Sequence, residues 1–220
     1  MSDRVERPYA TVRRLWPETP WLTGAVLEVP PEIARSHERP GQYVVLYPEP
    51  ETKVFMAIAS PPGEAQGLEL LLGVAAREKL RLSEGARIEI DAPAGKGFPV
   101  ELALGKDVLL FAIGSGLSAI RPLVSVIRAR RAEFGRVTLY AGAHTIEDHP
   151  YRGEDRAWQQ DGIEVVRAIS KPWVQEVFAR DPVPVANAVA FLVGTKSMIA
   201  GVTETLVAAG MPPDRIKLNW

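Results

Sequence analysis

From about Leu104 onward, short apolar runs alternate with amphipathic segments, and this alternation limits the fold more than any other feature. The apolar runs read DVLLFAI, RVTLYAGA, IEVVRAI, VAFLVG and IKLNW. Between them, helical patterns cover residues 117–134, 155–160, 172–180 and 195–210. Continuous apolar strands that alternate with helices are typical of a parallel sheet covered on both faces. The second half is therefore predicted to be a doubly wound α/β domain with a five-stranded parallel sheet.

The first hundred residues follow a different pattern, in which short β-type runs are separated by proline and glycine. Six such runs read YATVRRL, TGAVLEV, YVVLYP, VFMAIAS, LELLLGV and RIEIDA. Several alternate apolar with polar residues, as half-buried strands do. A short helix is predicted over residues 75–82. Six short strands with turn signals between them predict an antiparallel barrel or sandwich.

Composition narrows the chemistry that the chain can perform by itself. The sequence has no cysteine and only three scattered histidines, which argues against a cysteine nucleophile, thiolate zinc or its own iron-sulfur cluster. A net charge of -1 gives no positive field for nucleic acid, and no apolar run reaches the length of a membrane span. We expect a cytoplasmic protein with no metal site, in which any redox group is a bound organic cofactor.

The stretch FAIGSGLSAIRP joins the first apolar strand of the second half to a helix. Gly114, Gly116 and Ala119 fit the pattern G-x-G-x-x-A, in which glycines allow a tight turn and a close approach of the backbone to pyrophosphate. Ser115 and Ser118 add hydroxyl groups beside the turn. The alternative is that glycine serves only the conformation of the turn. The next strand ends at His144 without the acidic residue of ordinary NAD dehydrogenases.

A second glycine turn, VGTKSM, again joins an apolar strand to a helix. Gly194, Thr195 and Met198 would lie beside the first turn if both strands end at the same edge of the sheet. Two such turns together favour a nucleotide cleft. The alternative is that Gly194 relaxes the turn while Thr195 or Ser197 caps the helix.

The order of these motifs resembles the ferredoxin-NADP reductase superfamily over nearly the whole chain. The resemblance rests on PGQYVVLYP, IASPP, EGARIEIDAPAGKGF, FAIGSGLSAIRP, FLVGTKSM and a terminal aromatic residue. It is strongest to a divergent branch that also occurs in plants. The resemblance implies a flavin-binding β-barrel domain over residues 1–103 and an NAD(P)-binding α/β domain over residues 104–220.

The resemblance also implies a set of binding residues for FAD and for the nicotinamide nucleotide. Flavin contacts are expected from Met56, Ala57, Ile58, Ala59, Ser60, Gly73, Val74, Ala75, Ala76, Lys96 and Gly97. Nucleotide contacts are expected from Gly114, Ser115, Gly116, Ser118, His144, Gly194, Thr195 and Met198. Trp220 would cover the flavin ring and move aside for nicotinamide, or would instead plug the interface between domains. The remaining tryptophans, Trp16, Trp21, Trp158 and Trp173, are interpreted as packing residues.

The chain departs from the family at residues that carry chemistry. The family's flavin strand reads R-x-Y-[ST], and alignment on IAS puts Val54, Met56 and Ala57 at the arginine, tyrosine and hydroxyl positions. Lys53 could replace the charge of the arginine, or it is a surface lysine. Val193 replaces the cysteine that normally lies beside the nicotinamide. The departures weaken the case for tight flavin binding, because the arginine and tyrosine hold the cofactor in the family.

Two functions follow from this pattern. The first is an FAD-dependent NAD(P)H oxidoreductase that passes electrons through flavin to an acceptor. The alternative is a reductase-shaped module with weak or no flavin binding, acting as an interaction or regulatory subunit or as part of a larger electron-transfer complex. In such a complex a partner would supply the iron-sulfur centre.

Overall fold

The computed structural model describes residues 6–64, 67–171 and 173–219. The first sheet contains β1 (Tyr9–Pro17), β2 (Thr23–Glu28), β3 (Tyr43–Glu49), β4 (Thr52–Ala57), β5 (Leu68–Leu72) and β6 (Arg87–Ile90). Its strands pair antiparallel in the order β4-β3-β6-β1-β2-β5. The two outer strands meet through an antiparallel bridge between Ile58 and Leu70, so that the sheet closes into a barrel. The predicted antiparallel six-stranded barrel is confirmed.

Two short helices belong to this first part. The helix α1 (Pro31–Arg35) was not predicted, because the PPEIAR stretch is too short to show a helical period. The helix α2 (Val74–Leu80) ends two residues before the predicted end at residue 82. Arg81 follows it in the left-handed conformation, with φ 45°, and this conformation terminates an α-helix.

The second sheet contains β7 (Asp107–Ile113), β8 (Val137–Ala143), β9 (Ile163–Ile169), β10 (Ala188–Val193) and β11 (Ile216–Lys217). All neighbours are parallel, in the order β11-β10-β7-β8-β9. The helices are α3 (Leu117–Ala129), α4 (Asp155–Gln160), α5 (Val174–Arg180) and α6 (Lys196–Ala208). The predicted five-stranded parallel sheet is confirmed. The predicted first helix is shorter than expected, because a separate turn of 3-10 helix covers Arg131–Glu133.

Each face of the parallel sheet packs against its own pair of helices. On one face, Leu110 of β7 shares a core with Ile120 of α3 and Trp158 of α4. On the other face, Phe111 shares a core with Phe178 of α5 and with α6. Because adjacent residues of one strand enter different cores, the sheet is doubly wound, as the alternating pattern predicts.

The barrel and the parallel sheet share one of these cores. Phe98, which follows the last barrel strand, packs edge-on against Phe191 of β10, with ring centroids 5.3 Å apart. Leu22 and Leu71 of the barrel lie in the same core as β7 and α3. The architecture therefore changes between Ile90 and Asp107, and the predicted domain boundary between residues 103 and 104 stays a prediction. In the described part of the chain, no helix is both long and apolar enough to span a membrane.

Candidate functional site

A cavity of about 680 Å³ lies at the carboxyl edge of the parallel sheet. Because parallel strands all end at one edge, the turns after β7, β8, β9 and β10 meet there. The lining comprises Thr19, Trp21, Leu22, Ile113, Gly114, Ser115, Gly142, Ala143, His144, Asp148, Ala168, Ser170, Trp173, Val174, Gln175, Thr195, Ser197 and Met198. Five predicted nucleotide residues are in this set: Gly114, Ser115, His144, Thr195 and Met198.

The first glycine turn presents open backbone to the cavity. Gly114 has φ +51°, a left-handed conformation that favours glycine, and a Cβ there would meet nothing within 4 Å. Ser118 is buried and does not line the cavity, and its hydroxyl donates to the carbonyl of Ser115 at 2.8 Å. Ser118 thus stabilises the turn from inside, while Gly114 and Ser115 face the space.

The remaining two predicted glycines bring the two turns together. A Cβ on Gly116 would come within 3.1 Å of the Val193 side chain and carbonyl oxygen. A Cβ on Gly194 would come within 3.0 Å of Ile113 and 3.1 Å of Met198. The turns after β7 and β10 are therefore in direct contact, and Gly116 and Gly194 serve this close approach.

Hydrogen bonds hold the loops that follow β8 and β9. His144 is exposed, and its carbonyl oxygen accepts from the hydroxyl of Ser170 at 2.6 Å. The backbone N–H of Thr145 donates to the Asp148 carboxylate at 3.1 Å. These contacts fix the wall of the cavity on the β8–β9 side. Sequence analysis found no motif in either loop and identified only His144, from its position at the end of a strand.

Two tryptophans on the cavity wall were assigned the wrong role. Trp21 is 61 % exposed and Trp173 is 42 % exposed, and both line the cavity, so the interpretation of these two as packing residues is wrong. Trp158, by contrast, is fully buried, and Trp16 is half-buried with its ring against Gly24. The sequence did contain a sign of this exposure. Each of the two tryptophans directly follows a proline within a loop, and loops run over the protein surface.

The loop that carries Trp21 is braced by its own polar residues. The buried hydroxyl of Thr19 accepts from the backbone N–H groups of Trp21 at 3.2 Å and Leu22 at 3.0 Å. The carboxylate of Glu18 accepts from the N–H of Tyr151, in the segment after β8, at 2.6 Å. This loop of the barrel is therefore fastened against the β8 side of the parallel sheet.

The predicted flavin strand has two different faces. Val54, Met56 and Ile58 point into the barrel core. Lys53, Phe55 and Ala57 alternate with them and point outward, and Phe55 is 62 % exposed. The ring of Tyr43 lies beside Phe55, with centroids 5.6 Å apart. The outer surface of β4 is therefore aromatic and carries a lysine.

The other predicted flavin residues surround this strand. Ala59 and Ser60 are buried; the Ala59 carbonyl accepts from Arg121 at 3.1 Å, and the Ser60 hydroxyl accepts from the Glu69 N–H at 3.1 Å. The exposed residue Lys96 lies in the segment beside Tyr43, whereas Gly97 is buried with φ +63°. Gly73, Val74, Ala75 and Ala76 form the start of α2, which is exposed or half-buried and has no capping side chain.

The predicted covering residue, Trp220, lies outside the described residues. The preceding residue, Asn219, donates its side-chain amide to the carbonyl of Gly41 at 3.2 Å. The described end of the chain therefore lies against the barrel, next to the segment that leads into Tyr43.

A network of charged groups links the barrel to the first glycine turn. Arg121 of α3 pairs with Glu69 of β5 at 2.9 Å and with Glu154 at 2.7 Å. Burial lowers the pKa of the Arg121 guanidinium, but the two carboxylates outweigh this and raise it. Burial raises the pKa of Glu69 despite the pair with Arg121. Tyr151 packs beneath the guanidinium at 4.7 Å, and burial raises the pKa of its hydroxyl.

In the described part of the chain no group of three or more histidine, aspartate or glutamate side chains could hold a metal ion.

No protein-family model matches the sequence. A cytochrome P450 reductase from Amycolatopsis superimposes with a TM-score of 0.83, 23% sequence identity, and coverage of 100% of this chain and 72% of that one. A ferredoxin NADP+ reductase from Neisseria gonorrhoeae, solved with FAD and NADP, gives 0.80 at 17% identity, with 96% of both chains covered. The chain has the fold of the ferredoxin-NADP reductases.

Two relatives by sequence, one of them from a plant, are consistent with the expected divergent branch. The fruit protein pKIWI502 of Actinidia deliciosa is 28% identical over 217 residues, 84% of this chain and 67% of its own length. The sulfhydrogenase 1 subunit gamma of Pyrococcus furiosus is 27% identical over 203 residues, 84% of this chain and 69% of its own length. The chain thus spans about two thirds of each relative.

Proposed function

We propose that the chain is an FAD-dependent NAD(P)H oxidoreductase module of the cytoplasm, passing electrons to an acceptor protein or small molecule. The observation that carries the proposal is the cavity at the carboxyl edge of the parallel sheet, where two glycine turns meet in a chain with the ferredoxin-NADP reductase fold. Ligands of doubly wound sheets bind at this edge. A volume of about 680 Å³ suits a ligand of nucleotide size.

The chemistry of the cavity suits a dinucleotide. Gly114 and Ser115 offer backbone N–H groups at the start of the 13-residue helix α3, where the helix dipole favours phosphate. The hydroxyl of Ser115 can donate to phosphate or ribose oxygens, as can one of the hydroxyls of Thr195 and Ser197, which form a hydrogen bond with each other at 3.0 Å. The apolar remainder of the lining excludes water from a bound ring.

The outer face of β4 fits a flavin better than the alignment on IAS suggests. The arginine and tyrosine of the family motif are two residues apart, so they share one face of the strand. Lys53 and Phe55 also share one face here, and they point outward, away from the filled barrel core. Phe55 and Tyr43 would support the flavin ring, and Lys53 with Lys96 would supply positive charge for its pyrophosphate. A bound flavin supplies hydride acceptance and onward electron transfer.

The absorption spectrum of the full chain tests the flavin. We expect a yellow protein that takes up FAD stoichiometrically and bleaches on anaerobic addition of NADH or NADPH. Phe55→Ala should weaken FAD binding by about two- to tenfold, since ring stacking contributes about 0.5–1.5 kcal/mol. Leu102→Ala, which truncates another exposed apolar side chain, is the control. A colourless protein that binds neither FAD nor FMN would contradict the flavoenzyme and leave the reductase-shaped module.

A substitution at the first glycine turn tests the nucleotide site. Gly116→Val would force the turns after β7 and β10 apart, because its Cβ meets Val193 at 3.1 Å. We expect the affinity for NAD(P)H to fall by at least about tenfold, with a folded circular dichroism spectrum. Gly153→Val is the matched control, because a Cβ there has nothing within 4 Å. Unchanged nucleotide affinity in Gly116→Val would show that the site lies elsewhere.

A second candidate is a subunit of a larger electron-transfer complex. The similarity to a sulfhydrogenase gamma subunit favours it. Since the chain has no cysteine, an iron-sulfur centre would have to be held by the partner. Purification from the native host under gentle conditions would then yield a cysteine-rich partner in constant ratio. A protein that elutes alone and still reduces an acceptor with NAD(P)H would argue against it.

A further inference from the structure

The cavity at the carboxyl edge has an aromatic wall that no motif explains. Trp21 comes from the loop between β1 and β2, and Trp173 from the loop between β9 and α5, yet both line the same space. Both are substantially exposed. Large aromatic side chains left open to solvent on two separate elements, facing one cavity, are typical of a binding site for a planar ring.

Both tryptophans lie on the same side of the first glycine turn. Trp173 directly precedes Val174, which a Cβ on Gly142 would meet at 2.8 Å, so Trp173 lies near the end of β8, the neighbour of β7 on the side away from β10. The Trp21 loop is fastened to Tyr151, in the segment after β8. The aromatic wall therefore occupies the β8–β9 side of the cavity.

The opposite side of the cavity leads to the barrel surface that we assign to flavin. Phe191 of β10 packs against Phe98 of the barrel segment, and the chain beyond β11 reaches Gly41 through Asn219. A nicotinamide ring must lie on this side to reach a flavin. With the pyrophosphate at Gly114–Gly116, the other end of the dinucleotide extends toward β9.

We propose that Trp21 and Trp173 bind the purine base of the dinucleotide by stacking. This inference rests on the proposed nucleotide-binding function and adds the residues that hold its base. One tryptophan belongs to the barrel and the other to the parallel-sheet part, so the stacked base also bridges the two parts. The barrel thereby contributes directly to nucleotide affinity.

Calorimetric titration with ADP-ribose tests the stacking, because ADP-ribose carries the purine and pyrophosphate but no nicotinamide. Loss of a stacked aromatic ring should raise its dissociation constant by at least about fivefold in Trp173→Ala and in Trp21→Ala. Trp173→Phe keeps an aromatic face and should stay within about threefold of wild type. Leu102→Ala, which truncates an exposed apolar side chain outside the cavity wall, should leave the affinity unchanged.

Saturation-transfer NMR with NADH gives a second readout that does not depend on stability. In wild type the adenine ring protons should receive strong saturation, and Trp173→Ala should lower this signal relative to that of the nicotinamide protons. If wild type binds ADP-ribose while both alanine variants bind it equally well, the stacking is overturned and the nucleotide function stands. If wild type binds neither ADP-ribose nor NADH nor NADPH, both proposals are overturned.

Discussion

Two buried histidines, His37 and His149, make the stability of the folded protein depend on pH. His37 and His149 are each only 2 % exposed, and their Nε2 atoms have no hydrogen-bond partner in the described part of the chain. Burial lowers the pKa of both to about 4, and at His149 the neighbouring Arg167 lowers it further. Both side chains are therefore neutral in the folded protein at pH 7.

Acidification should destabilise the protein through these two histidines. In the unfolded chain they take up protons below their ordinary pKa of 6.5, whereas in the folded chain they do so only near pH 4. The stability they contribute is complete above pH 6.5 and is lost as the pH falls toward 4, by about 1 kcal/mol per pH unit for each histidine. The measurement is thermal unfolding across this range, in wild type, His37→Gln and His149→Gln. Equal pH slopes in all three proteins would refute the prediction.

The two long helices of the parallel-sheet part begin at glycine turns but satisfy their first N–H groups differently. At α6, the hydroxyl of Thr195 accepts from the N–H of Met198 at 3.3 Å. At α3, no side chain caps the first turn. Instead, the backbone N–H of Leu117 donates to the carbonyls of Gly114 and Ser115, so the turn itself caps α3. Because no side chain occupies the start of this turn, we favour it over the turn at Gly194 as the proposed phosphate site.

Removing the cap of α6 should lower stability. We expect Thr195→Ala to reduce the free energy of unfolding by about 1 kcal/mol, because one N–H at the start of the helix loses its acceptor. Thr195→Ser keeps an oxygen at this position and should remain close to wild type in urea unfolding. If Thr195→Ser loses as much stability as Thr195→Ala, packing of the methyl group rather than capping explains the effect.

At the scale of the whole molecule, Arg121 provides a charged link between the barrel and the parallel-sheet part. It reaches the Ala59 carbonyl and Glu69 in the barrel and Glu154 near α4, from the helix that starts at the first glycine turn. The motif FAIGSGLSAIRP thus contains both a turn that is open to ligand and a cation that fixes this turn to the barrel. The pair is only partly exposed, so solvent screens it little.

Breaking this link should be costly, and removing both partners much less so. Arg121→Met leaves the Glu69 carboxylate without its cation in a mostly buried position, at a cost of about 3 kcal/mol or more. The double variant Arg121→Met, Glu69→Met should recover part of this loss. The exposed pair of Arg128 and Asp161 offers the control, and Arg128→Met should cost less than about 1 kcal/mol. Additive effects of the two Met substitutions would mean that the ion pair contributes no coupling.

The sequence by itself determined the architecture and the glycine turns. Hydrophobic period is a local property, so β-type runs in the first part and alternating strands and helices after Leu104 predicted both sheets. A glycine turn after an apolar strand is also local, which is why Gly114 and Thr195 could be identified as candidates before the fold was known.

Only the tertiary structure decided which faces and loops meet. Val54 and Met56 face inward and Phe55 faces outward because the barrel closes around them, and this closure depends on β5, which supplies Leu68 and Leu70 to the same core. Trp21 and Trp173 are 152 residues apart in the sequence, and no local pattern indicates that they line one cavity. Arg121 likewise finds Glu69 only after the two parts pack together. Contacts of this kind arise from long-range packing, whereas local sequence encodes only the elements that pack.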